Sequence, residues 1–221
     1  MHTITDDVVA FDALAVRASV ELAGRARPAD MARPTPCADW TLHGLISHMA
    51  AQHYGFAAAA AGDGDPARWR PRRLGSDPVA DYRASAETVL AAFSADGVLD
   101  RQFPLPEFAA GAGFPARQAV SFHLVDYVVH GWDVARALGR GYDLEPDVLA
   151  AALPIARAVP DGERRRRPAA AFAPRVAASS GGLLDQIVAL LGRQPDWLRL
   201  SVPFPARQRP QRPALRLSHE R

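Results

Sequence analysis

The sequence predicts an all-α protein, a four-helix bundle with additional C-terminal helices. Three observations carry that expectation. Four long segments place apolar residues at three- and four-residue spacing, the period of a helix with one buried face. The first and third connections between them are long, and each segment opens or closes on a recognisable cap or breaker. No segment alternates apolar and polar residues as a half-buried strand does, which leaves helix-on-helix packing as the layer architecture.

The first helix is expected over about 5–28, with Val8, Val9, Phe11, Leu14, Val16, Val20 and Leu22 on its buried face. Thr5-Asp6-Asp7 supplies acceptors at its start, and Pro28 marks its end. The stretch Pro34-Thr35-Pro36-Cys37 is rigid and extended, because a proline disfavours helix in the residue before it. A second helix starts near Asp39 or Thr41, runs through Leu42, Leu45, Ile46 and Met49, and stops at Gly62. Residues 62–76 are a polar, Gly/Pro-rich connection. Ser76-Asp77-Pro78 then opens a third helix over about 77–95, a cap followed by a first-turn proline. In residues 96–115 the segment LDRQFPL has room for a short strand, but its prolines forbid a central one. The fourth helix runs from about 115 to Leu138 and ends at Gly139-Arg140-Gly141. Two further helices are expected at 145–159 and at 180–193, the latter capped by Ser180. The expected organisation is a bundle over 1–142, a C-terminal helical extension packed on it over 143–200, and a loosely ordered, Pro/Arg-rich tail over 201–221.

Composition narrows the function classes. Of 221 residues, 48% are hydrophobic and 23% charged, a balance that buries a core rather than leaving the chain disordered. The longest apolar runs are far shorter than the roughly 20 residues of a membrane span, and the acidic N-terminus does not read as a signal peptide. Cys37 is the one cysteine, so no intrachain disulfide forms, and a reducing cytoplasm is the expected compartment. The bases are all arginine and exceed the acids by only two. The dense run Arg164 to Arg167 is bracketed by Asp161, Glu163 and Pro168 and reads as a solvated loop. It lacks the interleaved aromatics of a nucleic-acid surface. A small-molecule partner is therefore expected, with neither nucleic acid nor membrane. Dimerisation through bundle faces is compatible with the sequence, which does not decide it.

The chemistry concentrates in the fourth helix, which reads SFHLVDYVVHGWDVAR. Asp126 and His130 are four residues apart and project from one face. A carboxylate and an imidazole at that spacing can hold one metal ion. Alone the pair is a weak signal, since exposed hydrogen-bonded pairs share it. Here it sits among Leu124, Val125, Tyr127, Val128 and Val129, where a buried aspartate needs a partner. His48, on the second amphipathic helix, is the candidate third ligand, since facing helices of a bundle build such sites. Two nitrogens and one oxygen suit zinc, and also nickel, copper or iron. Three protein ligands leave positions for water or substrate, which is the catalytic pattern.

The stretches RPTPCADWTLHGLISHMA and HLVDYVVHGWDVARALG resemble the DinB-like superfamily, in its branch of mycothiol-dependent maleylpyruvate isomerase-like proteins. The resemblance is strongest to the metal-binding subfamily with a PTPCxxW…H and DxxxHGWD pattern, and LLDQIVALLGRQPDW is similar to that subfamily's C-terminal signature. It covers about 5–198. It implies a four-helix bundle with a metal held by three residues: in the isomerase, a histidine of the second helix and a Glu-x-x-x-His pair of a later one. Those roles fall on His48, Asp126 and His130. It further implies metal-dependent chemistry, often with a small thiol such as mycothiol or bacillithiol. Two departures stand out. The carboxylate is aspartate, one methylene shorter, and only about 80 residues follow the fourth helix where the isomerase has a sizeable second domain.

Other residues have two readings each. His123 shares the face of Asp126 and His130. It is a candidate catalytic proton carrier or fourth ligand, or else a residue lining the core. His53 lies about 140° around the helix from His48 and is expected at the surface, as is His43. Cys37 is either a small buried hydrophobe in a rigid turn, or a redox thiol or metal ligand activated by the following helix start. Trp40 and Trp132 read as packing. Asp133 reads as the partner of Arg136 or as a helix-start acceptor. Arg193 reads as a contact to a substrate carboxylate or to a helix C-terminal carbonyl. Three functions are compatible with these residues: a metal-dependent transferase, isomerase or hydrolase acting on a small molecule, a non-catalytic metal or ligand binder, and a structural bundle.

Overall fold

A computed structural model describes residues 8–37, 40–108, 111, 113–167, 170–177 and 181–197. The tail over 201–221 and the proposed Ser180 cap lie outside the described residues. The elements are α1 (Val8–Ala23), α2 (Leu42–Ala60), α3 (Pro78–Phe93), β1 (Gln102–Pro104), β2 (Gly113–Pro115), α4 (Ala116–Leu138), α5 (Pro146–Ala158) and α6 (Leu183–Leu190). The all-α expectation holds, with one small addition. β1 and β2 pair antiparallel, Phe103 opposite Phe114, in a two-stranded ribbon where the flanking prolines cost no central ladder bond.

The chain's local chemistry sets the helix ends. Thr41 accepts from Gly44 N–H at 3.3 Å and caps α2. Asp77 accepts from Val79 and Ala80 N–H at 3.1 and 3.0 Å, with Pro78 in the first turn of α3. Gly139 ends α4 at φ +65°, a left-handed cap that glycine adopts without steric cost. α6 begins after Gly182, which offers no side-chain cap.

α4 is the central helix, buried nearly all round. α1 packs along it, α2 packs on α3 and on α4, α5 covers α1 and α4, and α6 rests on α5 and reaches α4. The buried face of α1 is Val8, Asp12, Ala15, Val16, Ser19, Leu22 and Ala23. It therefore includes two polar residues and excludes Leu14, which is 40% exposed. At Gly55 the α2 backbone lies against the buried Trp69 indole, where a Cβ would come within 2.4 Å of the ring. No helix among the described residues is long and apolar enough to cross a membrane.

The PTPC segment turns back on the start of α2. Leu42 N–H donates to Arg33 O at 2.8 Å and His43 N–H to Met31 O at 3.0 Å. Thr35 Oγ1 donates to the carbonyls of Cys37 and Trp40, each at 3.0 Å. This fold-back carries Trp40 and Cys37 to the end of the bundle where α2 and α4 meet.

Candidate metal centre

The structure brings together the three residues singled out from the sequence. One donor atom each from His48, Asp126 and His130 lies within 4.8 Å of the others. His130 Nε2 stands 3.4 Å from Asp126 Oδ1, one helical turn away on α4. The His48 ring on α2 meets the His130 ring edge-on, centroids 5.3 Å apart. Trp40 lies against both imidazoles, 4.4 Å from His48 and 6.1 Å from His130, so it walls one side of the cluster as well as packing. His130 is almost fully buried, while Asp126 keeps 18% of its side chain exposed. Solvent thus reaches the cluster at Asp126.

Asp133 behaves differently from the sequence expectation. It does not pair with Arg136, whose guanidinium instead stacks on Trp132 at 5.1 Å and reaches Pro195 O. Its Oδ2 sits 3.0 Å from His130 Nδ1. Arg193 donates to both of its oxygens, Nε to Oδ1 at 3.3 Å and Nη2 to Oδ2 at 3.0 Å. Burial would raise the Asp133 carboxyl, but the Arg193 charge and the His130 hydrogen bond outweigh it and hold the group below the usual carboxylate range. An ionised Asp133 only accepts hydrogen bonds, so it places a proton on His130 Nδ1 and turns Nε2 toward Asp126 and His48. Arg193 also donates to Leu191 O at 3.0 Å, so it makes the carbonyl contact together with an ion pair that a sequence separation of 60 hid.

Burial and then the neighbouring His130 pull His48 down to about 4, from an ordinary value near 6.5. At neutral pH its imidazole is therefore uncharged. The neutral His48 imidazole, the His130 imidazole oriented by Asp133, and the Asp126 carboxyl group are a donor set that fits a divalent transition metal. The same shift has a pH consequence. The unfolded chain takes up a proton at this position that the folded chain refuses, so stability is fully present above about pH 6.5 and falls as pH drops toward 4. The metal-free protein is expected to lose on the order of 1–2 kcal/mol at this residue between pH 7 and pH 5. Urea unfolding at the two pH values measures it. His48→Gln flattens that loss, and an unchanged loss contradicts the assignment.

Cys37 lies on the other side of His130. Its sulfur, a His130 nitrogen and an Asp133 oxygen also lie within 4.8 Å of one another. Here, however, Arg193 already occupies the Asp133 carboxylate, and a cation would meet a fixed guanidinium.

His123 is not among the three converging ligands. It faces α1, its Nδ1 2.7 Å from Asp12 Oδ1, and both residues are fully buried. Phe56, Phe93 and Tyr127 enclose its ring at 4.8, 5.2 and 4.2 Å. His53 corrects a second expectation. It is not at the surface but fully buried, its Nδ1 2.9 Å from Ser85 Oγ and its ring stacked 4.4 Å from Tyr127. The 140° rotation away from His48 turns it toward α3, which covers that side of α2. His43 is half-buried.

The profile of the mycothiol maleylpyruvate isomerase N-terminal domain matches residues 13–135, from α1 through most of α4. The chain belongs to this DinB-like family. Two curated relatives are similar over nearly their whole length. They are the proteins printed as uncharacterized MT0763 and Rv0738 of Mycobacterium tuberculosis, strains CDC 1551 / Oshkosh and ATCC 25618 / H37Rv. Each is 31% identical over 177 residues, covering 78% of this chain and 90% of the relative. No solved structure matches. The family match contains His48, Asp126, His130 and Asp133, whereas Arg193 lies outside it.

Proposed function

We propose that this chain is a cytoplasmic, divalent-metal-dependent enzyme acting on a small molecule, with a thiol of the mycothiol type as cosubstrate. The observation that carries it is the convergence of His48, Asp126 and His130 donor atoms within 4.8 Å, reached by solvent at Asp126. Membership of a mycothiol-related family supports the thiol. Zinc suits the donor set best among soluble divalent ions, with nickel, copper and iron sharing the same ligand types.

A metal ion bound here supplies Lewis acidity, lowering the pKa of water or of a thiol so that a nucleophile exists near neutral pH. The chain's own residues prepare for it. His48 is held neutral by burial and offers a lone pair without first losing a proton. Asp126 brings the negative charge that offsets part of the ion's. Asp133, clamped by Arg193, holds the His130 ring in one orientation. Trp40 keeps water from one side of the imidazoles. We read His123 as a core residue rather than a proton carrier or fourth ligand, because its Nδ1 is engaged by Asp12 and aromatic rings enclose it. Its absence from the cluster also favours an open catalytic site over a closed storage site.

Incubating zinc-loaded protein with a low-molecular-weight thiol and a panel of α,β-unsaturated acids and ketones tests this by mass spectrometry. Thiol conjugates or isomerised products are expected with zinc and are lost in Asp126→Ala. Zinc-loaded protein that neither binds a thiol nor turns over any member of the panel contradicts the enzyme reading.

A further inference from the structure

Glu107 and Phe108, which follow β1, reach the two helices that carry the candidate metal ligands. α2 and α4 run antiparallel here: His48 meets His130, Tyr127 Oη donates to Met49 O, and Phe56 meets His123. One helical turn beyond His48 on α2 is Gln52, on the same face and only 7% exposed. One turn before Asp126 on α4 is Phe122. Glu107 touches the first and Phe108 the second. Glu107 Oε2 accepts from Gln52 Nε2 at 3.0 Å. Phe108 stacks on Phe122 with centroids 5.1 Å apart and planes 11° from parallel, backed by Phe114 at 6.1 Å. Phe108 nevertheless leaves 50% of its surface exposed, one of two large hydrophobics so exposed among the described residues. Packing alone does not require such a shelf.

Resting on the metal reading above, we propose that Gln52, Glu107 and the Phe108–Phe122 stack form the wall that binds the organic part of a ligand held at His48, Asp126 and His130. The wall pairs an apolar shelf with an acceptor, and so selects a ligand whose apolar stem ends in a hydrogen-bond-donating, cationic group. Glu107 is exposed as a residue, but its carboxyl end turns in against Gln52. Burial of that end, and then the Asp126 charge, raise its pKa against the lowering effect of the Gln52 bond.

Cobalt-loaded protein gives a thiolate-to-metal absorption band that reports binding without turnover. Three probe series are titrated: ω-aminoalkanethiols, ω-mercaptocarboxylates and plain alkanethiols, each of two to six carbons. The wild type is expected to favour the amines over the carboxylates by about tenfold or more. Glu107→Gln is expected to bring the two within about threefold while alkanethiol affinity and cobalt content stay unchanged. Phe108→Ala is expected to weaken the longer probes of all three series. Protein that takes up no cobalt or shows no thiolate band overturns the metal reading, and the wall with it. A thiolate band with the same ranking in wild type and Glu107→Gln overturns the wall alone.

Discussion

Arg193→Met destabilises the protein by about 3–5 kcal/mol, because it leaves the Asp133 carboxylate buried with its main counter-charge gone. Asp133 is fully buried and Arg193 only 4% exposed, so solvent does not replace the lost charge. The variant also loosens the metal site. Asp133 fixes the His130 ring, and losing such an outer partner typically costs ten- to a hundredfold in metal affinity. Urea unfolding measures the first effect, and competition against a chelating dye the second. The double variant Asp133→Leu with Arg193→Met separates the two. It removes both charges, so much of the stability returns, while metal affinity stays low. A single variant within about 1 kcal/mol of wild type would show that the pair carries little of the fold.

His123→Ala costs about 3–5 kcal/mol of stability and leaves metal content unchanged. The magnitude follows from emptying an aromatic-sized volume in a close-packed core. Around it stand Phe56 of α2, Phe93 of α3 and Tyr127 one turn along α4, each packed in place, so they do not collapse freely into the space. The loss also orphans Asp12, whose carboxyl burial already raises above its ordinary value. His123→Phe fills the volume but not the hydrogen bond, and is expected to recover part of the loss. If either variant released the metal while staying folded, His123 would belong to the site after all.

These two residues show what was legible in the sequence and what was not. Spacing within one helix placed Asp126 and His130 together, because i and i+4 share a face whatever surrounds them. Caps that are local in sequence, Asp77-Pro78 and Gly139, fixed helix ends to within a residue or two. His48 joined the site through its place on a second amphipathic helix and then through the family resemblance, since nothing in spacing links residues 48 and 130. The parts missed are all pairings across the chain: Asp133 with Arg193, Asp12 with His123, and Glu107 with Gln52, separated by 60, 111 and 55 residues. The polar positions on α1 misled for a related reason. Asp12 and Ser19 fall on the buried face because His123 and Tyr82 meet them there, Ser19 Oγ lying 2.6 Å from Tyr82 Oη. A hydropathy pattern assigns such residues to solvent. His53 misled because a helix packed on two neighbours buries two faces, while the rotation from His48 accounts for only one.

Elemental analysis of the untagged protein, beside His48→Ala and His130→Ala, tests the central claim most directly. About one divalent metal per chain is expected in the wild type, falling to background in both variants while circular dichroism shows the helices intact. A wild type that is metal-free as purified and also refuses zinc, nickel and copper, or variants that retain the full complement, would contradict the account.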